Sequence, residues 1–367
     1  MRAAAGALAM LFVACSSAAT PQAASSSGDP GSGDDGSSGG TTPPGATSSS
    51  GGMSSGSSGA SSSGGTALPP TTAVKIIVEP SDDGQALVAA INGATKSVHM
   101  TMYLLSSSAV INALISAKNK GRDVHVLLNK TFPMGQGSNS SVYSQLQSAG
   151  VTVGYAPAGY ELTHEKCVIV DGTTAWIMTM NATQSSPTDN REYLVVDTDA
   201  DDVAEAETIF QADAANTNPV LAAGAKLVVA PTNARPRLQT LINGAKTTID
   251  IESEELSDST LVPLLAAKAD AGVKIRIVLA NTTPSAAQQT AVTTLKAHKV
   301  TVLSLATPYV HAKALVADGT LAYVGSANFT AASLTSNREL GVIFSTATEI
   351  AKVSSTIASD VASGSPL

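Results

Sequence analysis

The sequence contains few cysteines. Cys15 and Cys167 are the only two among 367 residues. If Cys15 is modified at its side chain, an exported form of the protein therefore has no disulfide. The about 295 residues after position 72 are enough to bury a core without a cross-link. Cys167 lies within an apolar strand pattern, and we interpret it as a small buried hydrophobe.

Basic residues are also scarce. Lysine and arginine number 21 against 29 acidic residues, which gives a net charge of −8. Only Arg2 and three aspartates precede residue 73, so most of the acidic excess belongs to the remainder of the chain. Proteins that bind duplex nucleic acid normally carry a basic surface. The composition disfavours duplex nucleic acid as a partner, although a local basic patch is compatible with it.

The apolar run at the N-terminus is too short to span a bilayer. Arg2 is followed by the stretch AAAGALAMLFVA, which is typical of a secretory signal peptide. The run stops at Cys15, after Phe12, Val13 and Ala14, and resembles the lipobox of bacterial lipoproteins. We therefore expect residues 1–14 to be removed and Cys15 to be acylated. The exported protein would then be anchored to a bacterial membrane, and the alternative is a plain secretory signal.

The segment that follows, residues 15–72, is composed mainly of serine, glycine, proline, alanine and threonine. Such a segment cannot bury enough apolar surface to offset its chain entropy, so we expect a disordered tether. A lipid anchor on this tether would keep the folded part close to a membrane surface.

The rest of the chain repeats itself. A block that begins at Ile91 recurs from Ile242, at an offset of 151 residues. Both copies alternate strand and helix patterns, which favours an α/β fold with helices flanking the sheets. We predict two similar α/β halves, residues 73–220 and 221–367, related by a pseudo-twofold axis, each with a mainly parallel sheet.

A second repeated stretch carries polar residues in strand patterns. THEKCVIVDGTTAWIMTMNAT starts at Thr163, and VHAKALVADGTLAYVGSANFT matches it from Val310, at an offset of 147 residues. Strand alternation points each histidine and the lysine two residues later to the same face. The matched pairs are His164 and His311, Lys166 and Lys313, Asp171 and Asp318, Asn181 and Asn328, and Glu192 and Glu339.

The pattern H-x-K-x4-D-x6-G-S-x-N, present twice, resembles the phospholipase D superfamily. The second copy fits in full, with Gly325 and Ser326, whereas the first copy has Met178 and Thr179 at those positions. The resemblance covers roughly residues 74–362. It implies that both motifs meet in one cleft and cleave phosphodiesters through a phosphohistidine, without a metal or another cofactor.

The resemblance also assigns roles to these residues. Its lysines and asparagines would hold the anionic phosphate oxygens, and Ser326, Thr179 and Gly325 would lie at the substrate. Glu192 and Glu339 would each orient an imidazole. Asp171 and Asp318 complete the set of site residues, and their turn position indicates that they support the loop.

The division of labour between the histidines also follows from the resemblance. His164 would attack phosphorus and His311 would protonate the leaving alcohol. If Met178 crowds the phosphate beside His164, the roles could be exchanged, or the protein could be a pseudoenzyme.

Several charged residues keep two interpretations. Arg191 and Arg338 are either phosphate ligands or ordinary surface charges. The acidic run of Glu252, Glu254, Glu255 and Asp258 could mimic a metal site, but a strand end that discourages polyanions is the better interpretation. The loop at residues 130–143 is the expected place for substrate selection.

Three functions compete at this level. The first is a phospholipid-active phosphodiesterase, either a hydrolase or a transphosphatidylase, which acts as a monomer at a membrane surface and needs no protein partner. The second is an extracytoplasmic nuclease of the same superfamily, and the third is a non-catalytic binding module on the same fold. The acidic balance and the expected membrane tether favour the first.

Overall fold

The computed structural model describes residues 69–133 and 137–367. The expected signal peptide, Cys15 and nearly all of the expected tether lie outside these residues. Within the described ranges, every helix is too short or too polar to cross a bilayer.

The first half contains one sheet with the strand order β1-β7-β6-β5-β2-β3-β4. Its strands are β1 (Val74–Glu79), β2 (Ser97–Met102), β3 (Asp123–Leu128), β4 (Thr152–Tyr155), β5 (Lys166–Val170), β6 (Thr174–Met178) and β7 (Asn190–Asp197). Its helices are α1 (Gln85–Gly93), α2 (Ser108–Asn119), α3 (Ser140–Ser148), α4 (Ser186–Asp189) and α5 (Ala200–Ala214).

The second half repeats this plan, with the strand order β16-β11-β10-β9-β13-β14-β15-β8. Its strands are β8 (Val228–Ala230), β9 (Thr248–Ser253), β10 (Lys274–Ala280), β11 (Thr301–Leu305), β12 (Tyr309–Val310), β13 (Lys313–Ala317), β14 (Leu321–Gly325), β15 (Glu339–Phe344) and β16 (Ser365–Pro366). Its helices are α6 (Ala234–Gly244), α7 (Leu261–Asp270), α8 (Ala286–Ala297), α9 (Ala331–Thr335) and α10 (Ala347–Ser363).

The α/β class and the two similar halves are confirmed, but the sheets are mixed rather than mainly parallel. In the first sheet β2, β3 and β4 run parallel, as do β9, β10 and β11 in the second. The motif strands β5–β7 and β13–β15 pair antiparallel. The sheets are mixed because the tight turn within each motif hairpin can join only antiparallel neighbours.

Both faces of each sheet are buried, so the motif strands are apolar at nearly every position. In β6, Ala175 and Ile177 face a central core, whereas Trp176 and Met178 face an outer core under α1–α3. The central core combines residues of both sheets with the apolar sides of α5 and α10. The two halves are therefore joined by a continuous hydrophobic core.

Backbone pairing also crosses between the halves, next to each motif. β12 pairs with β7 through Val310 and Arg191, and Thr163 forms the equivalent bridge with Arg338. The amide of His164 donates to the Arg338 carbonyl at 2.9 Å. Each motif histidine is consequently fixed beside the start of a strand from the opposite half.

Candidate active site

The site is built where the motif strands begin. His164 lies two residues before β5 at Lys166, and His311 lies two residues before β13 at Lys313. The exposed fractions of the two histidines are 4% and 8%, so both rings are nearly withdrawn from solvent.

The motif aspartates lie at the other end of these strands and do not join the site. Asp171 accepts hydrogen bonds from the backbone amides of Thr95, Lys96 and Ser97 at 2.7–3.0 Å. These amides hold the pKa of Asp171 at about 2, although burial works in the opposite direction. Asp318 does the same at its own turn. A five-residue strand, about 16 Å long, separates them from the histidines, so these two residues support the hairpin and are not catalytic.

His164 contacts a carboxylate of the opposite half. Its Nδ1 atom lies 3.0 Å from both carboxylate oxygens of Glu339. Ser326 donates to Glu339 at 2.6 Å and accepts from the amide of Leu340 at 3.0 Å. Since Nδ1 is engaged by the carboxylate, Nε2 is the nitrogen of His164 that remains for a substrate.

His311 has the equivalent charge contact without the hydrogen bond. Its Nδ1 atom lies 2.8 Å from Glu192 Oε1, again across the junction of the halves, but it has no hydrogen-bond partner within the described residues. Thr179 donates to Glu192 at 2.5 Å, and its hydroxyl accepts from the amide of Tyr193 at 2.9 Å. Glu192 and Glu339 thus each contact a motif histidine, and in both cases it is the histidine of the other motif.

The expected substrate-binding role of Thr179 and Ser326 does not match their positions. Both hydroxyls are buried behind the histidines and are engaged by a carboxylate and a backbone amide. We therefore assign them to positioning the carboxylates. The replacement of serine by threonine in the first motif preserves this function, because both side chains offer one hydroxyl.

Gly325 also has a structural reason to be glycine. A Cβ atom at this position would lie 2.5 Å from Gly341 Cα and 2.6 Å from the hydroxyl of Tyr323. At the equivalent place in the first half, Met178 pairs with Leu194, and both side chains lie in the outer core under α1–α3. Met178 faces away from the histidines, so the expected crowding of the phosphate beside His164 does not occur.

The two motif lysines have different neighbours. Lys166 donates to the carbonyl of His164, and its Nζ lies 5.0 Å from the centre of the Tyr103 ring. Lys313 donates to the carbonyl of His311 at 2.7 Å and to Glu254 Oε2 at 2.9 Å. The first half therefore places an aromatic ring, and the second half a carboxylate, beside the lysine.

Burial sets the ionisation of the first motif. It lowers the pKa of His164 to about 4, which the negative charge of Glu339 only partly offsets, so the ring is neutral near pH 7. Burial likewise lowers the pKa of Lys166 to about 7. Burial alone would raise the pKa of Glu339, but in acid the charge of the protonated His164 ring and the hydrogen bond from it lower that pKa below its ordinary value. A neutral imidazole held by an ionised carboxylate is the form that can attack an electrophile.

The motif asparagines Asn181 and Asn328 are both nearly withdrawn from solvent. The carboxamide oxygens of Asn181 and Asn328 are buried and have no hydrogen-bond partner within the part of the chain that the structure describes. Asn328 Nδ2 points to Glu254 Oε2 at 3.4 Å. Asn328 therefore lies beside the carboxylate that contacts His311 and Lys313.

Sequence reasoning missed Tyr103 and underestimated Glu254. These residues occupy equivalent places, 151 positions apart, directly after β2 and β9. The Tyr103 ring stands edge-on to the His164 ring, with centroids 4.7 Å apart, and Phe132 contacts Tyr103 at 5.2 Å. The repeat offset was the signal that could have found them. Phe132, which belongs to the segment expected to select substrate, therefore lies next to the site.

The acidic residues of the run from Glu252 to Asp258 have different partners. Glu252 accepts from the Tyr193 hydroxyl at 2.6 Å, and Asp258 accepts from the backbone amides of Thr260 and Leu261 at the start of α7. Of the run, Glu254 contacts His311 and Lys313. Among the described residues, no group of three or more histidine, cysteine, aspartate or glutamate side chains is arranged to hold a metal ion.

The two arginines of the N-R-E repeats are neither phosphate ligands nor surface charges. Arg338 Nε lies 2.8 Å from Asp213, and Arg191 Nε lies 2.6 Å from Asp360. Each ion pair joins one half to the terminal helix of the other, α5 or α10. These arginines therefore stabilise the junction on which the site depends.

Comparisons with known proteins agree with this geometry. A family model described as "Cardiolipin synthase, PLD-like domain" matches residues 87–214 and 238–361, which is more than half of the chain. Cardiolipin synthase A of Cronobacter sakazakii is 32% identical over 120 residues, 32% of this chain and 24% of that protein. Polyphosphate kinase of Synechocystis sp. is 26% identical over 217 residues, 52% of this chain and 28% of that protein. The matches thus span only about a quarter of the length of these curated relatives.

Solved structures show the same fold at low sequence identity. Phosphatidylserine synthase of Haemophilus influenzae Rd KW20 superposes with a TM-score of 0.62 at 11% identity, over 82% of this chain and 89% of that one. Polyphosphate kinase of Porphyromonas gingivalis gives a TM-score of 0.60 at 17% identity, over 78% and 50%. With two motif copies converging on one cluster and a family model covering both halves, the chain belongs to the PLD-like domain family of the phospholipase D superfamily.

Proposed function

We propose that the protein is a phospholipid phosphodiesterase that works through a phosphohistidine. The observation that carries the proposal is the pair of crossed contacts, His164 with Glu339 and His311 with Glu192. They supply two oriented imidazoles in one site, the number that a two-step displacement requires.

In the first step His164 Nε2 attacks phosphorus. The bond between phosphorus and the leaving oxygen breaks, and that oxygen takes a proton from His311. Lys166 and Lys313, with Asn181 and Asn328, stabilise the charge on the non-bridging oxygens.

In the second step water or an alcohol attacks the phosphohistidine. His311 takes the proton of the incoming hydroxyl, the phosphorus–nitrogen bond breaks, and His164 returns to its neutral form. Both nitrogens of His311 face carboxylate oxygens, Glu192 at 2.8 Å and Glu254 at 3.5 Å. These oxygens lie beside both N–H groups of the protonated ring, which exists before the first step and is restored by the second.

Three properties favour a lipid over a nucleic acid. The chain is acidic overall, with a net charge of −8. The site itself contains Glu254 in addition to the two orienting carboxylates. The expected export and acylation at Cys15 would also hold the protein at a membrane, where it needs no protein partner.

A head-group release assay tests the proposal. Vesicles of different phospholipids are compared with single- and double-stranded DNA, with EDTA present, and with His164→Ala as the inactive control. We expect release from phospholipid, no effect of EDTA, and little change between roughly 50 and 200 mM salt, a range over which phosphate-dominated nucleic-acid binding weakens steeply. Cleavage of DNA with steep salt dependence, or activity that EDTA abolishes and a divalent ion restores, would contradict it.

A further inference from the structure

Glu254 occupies the second half of the site. Its Oε2 atom lies 2.9 Å from Lys313 Nζ, 3.4 Å from Asn328 Nδ2 and 3.5 Å from His311 Nε2. Its other oxygen accepts from the hydroxyl of Tyr309 at 3.0 Å. A lysine, an asparagine and a histidine thus converge on a single carboxylate oxygen.

This carboxylate is charged. Burial alone would raise the pKa of Glu254, but the positive charges of Lys313 and His311 outweigh burial and hold that pKa well below its usual range. The adjacent Glu255 behaves differently, because burial raises its pKa to about 8 and keeps it largely protonated near pH 6.5. Glu254 therefore contributes a full negative charge, and Glu255 does not.

The two halves differ at this position. The equivalent residue of the first half is Tyr103, a neutral ring beside His164 and Lys166. Lys166, the lysine of the first half, therefore has a tyrosine ring at the place where Lys313 has the carboxylate of Glu254. The asymmetry is local, since the histidines, lysines and asparagines of the two motifs are matched.

We propose that Glu254 is the specificity-determining residue of the site and selects substrates by charge. The inference rests on the proposed function, in which Lys313, Asn328 and His311 are the contacts of a phosphate oxygen. With Glu254 occupying one anion position, the remaining positive charge suits a monoanionic phosphodiester, and a dianionic phosphate or sulfate is repelled. A like charge at this range weakens binding of an anion about tenfold or more, and the effect grows with the charge of the anion.

Anion binding to the full chain tests this without turnover. Dissociation constants for dimethyl phosphate, a monoanionic diester, and for sulfate, a dianion, are measured by titration calorimetry at pH 6.5. We expect the wild-type protein to prefer dimethyl phosphate. Glu254→Gln should bind sulfate about tenfold tighter or more and lose that preference.

The matched control is Glu255→Gln, which makes the same chemical change at a largely uncharged neighbour and should leave both constants unchanged. Glu254→Tyr, which introduces the residue of the first half, removes the charge by a different side chain and should also tighten sulfate binding. In the double variant Glu254→Gln, Lys313→Met, the gain in sulfate affinity should disappear, because the lysine released from Glu254 is the group that binds sulfate.

Two results would overturn the inference: sulfate binding by Glu254→Gln and Glu254→Tyr that is no tighter than wild type, or an equal gain in Glu255→Gln. The proposed function fails separately. If the charge preference changes as expected but no variant and no wild-type protein turns over any phospholipid, Glu254 keeps its role and the lipid phosphodiesterase is rejected.

Discussion

The environment of each histidine gives the two equivalent residues different chemistry. His164 is almost fully buried, with one nitrogen on Glu339 and the aromatic ring of Tyr103 beside it. His311 lies between the carboxylates of Glu192 and Glu254. Burial keeps the first ring neutral, whereas the second lies between two carboxylates, and this difference supports the proposed assignment of His164 as nucleophile and His311 as acid.

The ionisation of the first motif predicts a pH profile. We expect kcat/KM for bis(p-nitrophenyl) phosphate to rise through a pH of about 4, where His164 becomes neutral, and to fall through about 7, where Lys166 loses its charge. The pH dependence of kcat/KM reports the ionisation of groups in the free enzyme. Because a nitrophenolate leaves without taking up a proton, the acid His311 contributes little to this profile.

Lys166→Arg separates the two limbs. A guanidinium stays charged, so kcat/KM of this variant should no longer fall near pH 7, although its absolute value should be lower than that of the wild type. The control is Lys75→Arg, at a surface position, which should leave the pH profile unchanged. A rising limb near the ordinary histidine value of about 6.5 would show that the attacking ring is not the buried one.

At the residue scale, the repeated spacing identified the histidines, lysines and asparagines as candidates, and the structure places each lysine against the carbonyl of its own histidine. It did not predict which glutamate orients which histidine, since both crossed and uncrossed pairings satisfy the same spacing. It also placed Ser326, Thr179 and Gly325 at the substrate, although their partners are a carboxylate, a backbone amide and a neighbouring strand. Such partners come from strands that are distant in sequence, and only the fold identifies them.

At the scale of elements, the two motif hairpins fill the space beside their last strand residue with different side chains. In the second half Gly325 and Gly341 face each other on β14 and β15, and Tyr323 fills the space above them. In the first half the larger Met178 and Leu194 fill it directly. The departure of the first motif from the Gly-Ser pattern is therefore a compensated change in the outer core.

The close contacts around Gly325 predict that a larger residue there destabilises the fold. Gly325→Ala should lower the free energy of unfolding by roughly 1–3 kcal/mol, because the new methyl group overlaps the backbone of Gly341. Urea unfolding measures the change, with Gly244→Ala as the control, since a methyl group there meets no atom within 4 Å. Equal stability of Gly325→Ala and wild type would show that the site relaxes freely and that the glycine is kept for another reason.

The elements themselves could largely be predicted from the sequence, because strand and helix patterns alternate clearly after residue 73. The direction of the strands could not. The repeated strand–helix–strand block predicts parallel pairs, and β2–β4 and β9–β11 form them. The hairpins Lys166–Met178 and Lys313–Gly325 add antiparallel strands to the same sheets, and these strands lie outside the repeated block that predicts the parallel pairs.

At the scale of the whole molecule, neither half contains a complete site. Each histidine depends on a carboxylate, and on a neighbouring strand, from the opposite half. The ion pairs Arg338–Asp213 and Arg191–Asp360 and the shared central core hold that junction together. The pseudo-twofold arrangement thus makes one site from two motifs, as the sequence repeat predicts, whereas the exchange of carboxylates appears only in the structure.

The most direct test of the account traps the covalent intermediate. Bis(p-nitrophenyl) phosphate is mixed with wild-type protein, His311→Ala and His164→Ala, the reaction is quenched in alkaline denaturant, and the modified peptide is mapped by mass spectrometry. Because the leaving group needs no proton, His311→Ala should accumulate a phosphoryl adduct on His164, and His164→Ala, folded by circular dichroism, should form none. An adduct on His311, or none in any folded variant, would contradict the assignment of His164 as the nucleophile of a single site built from both motifs.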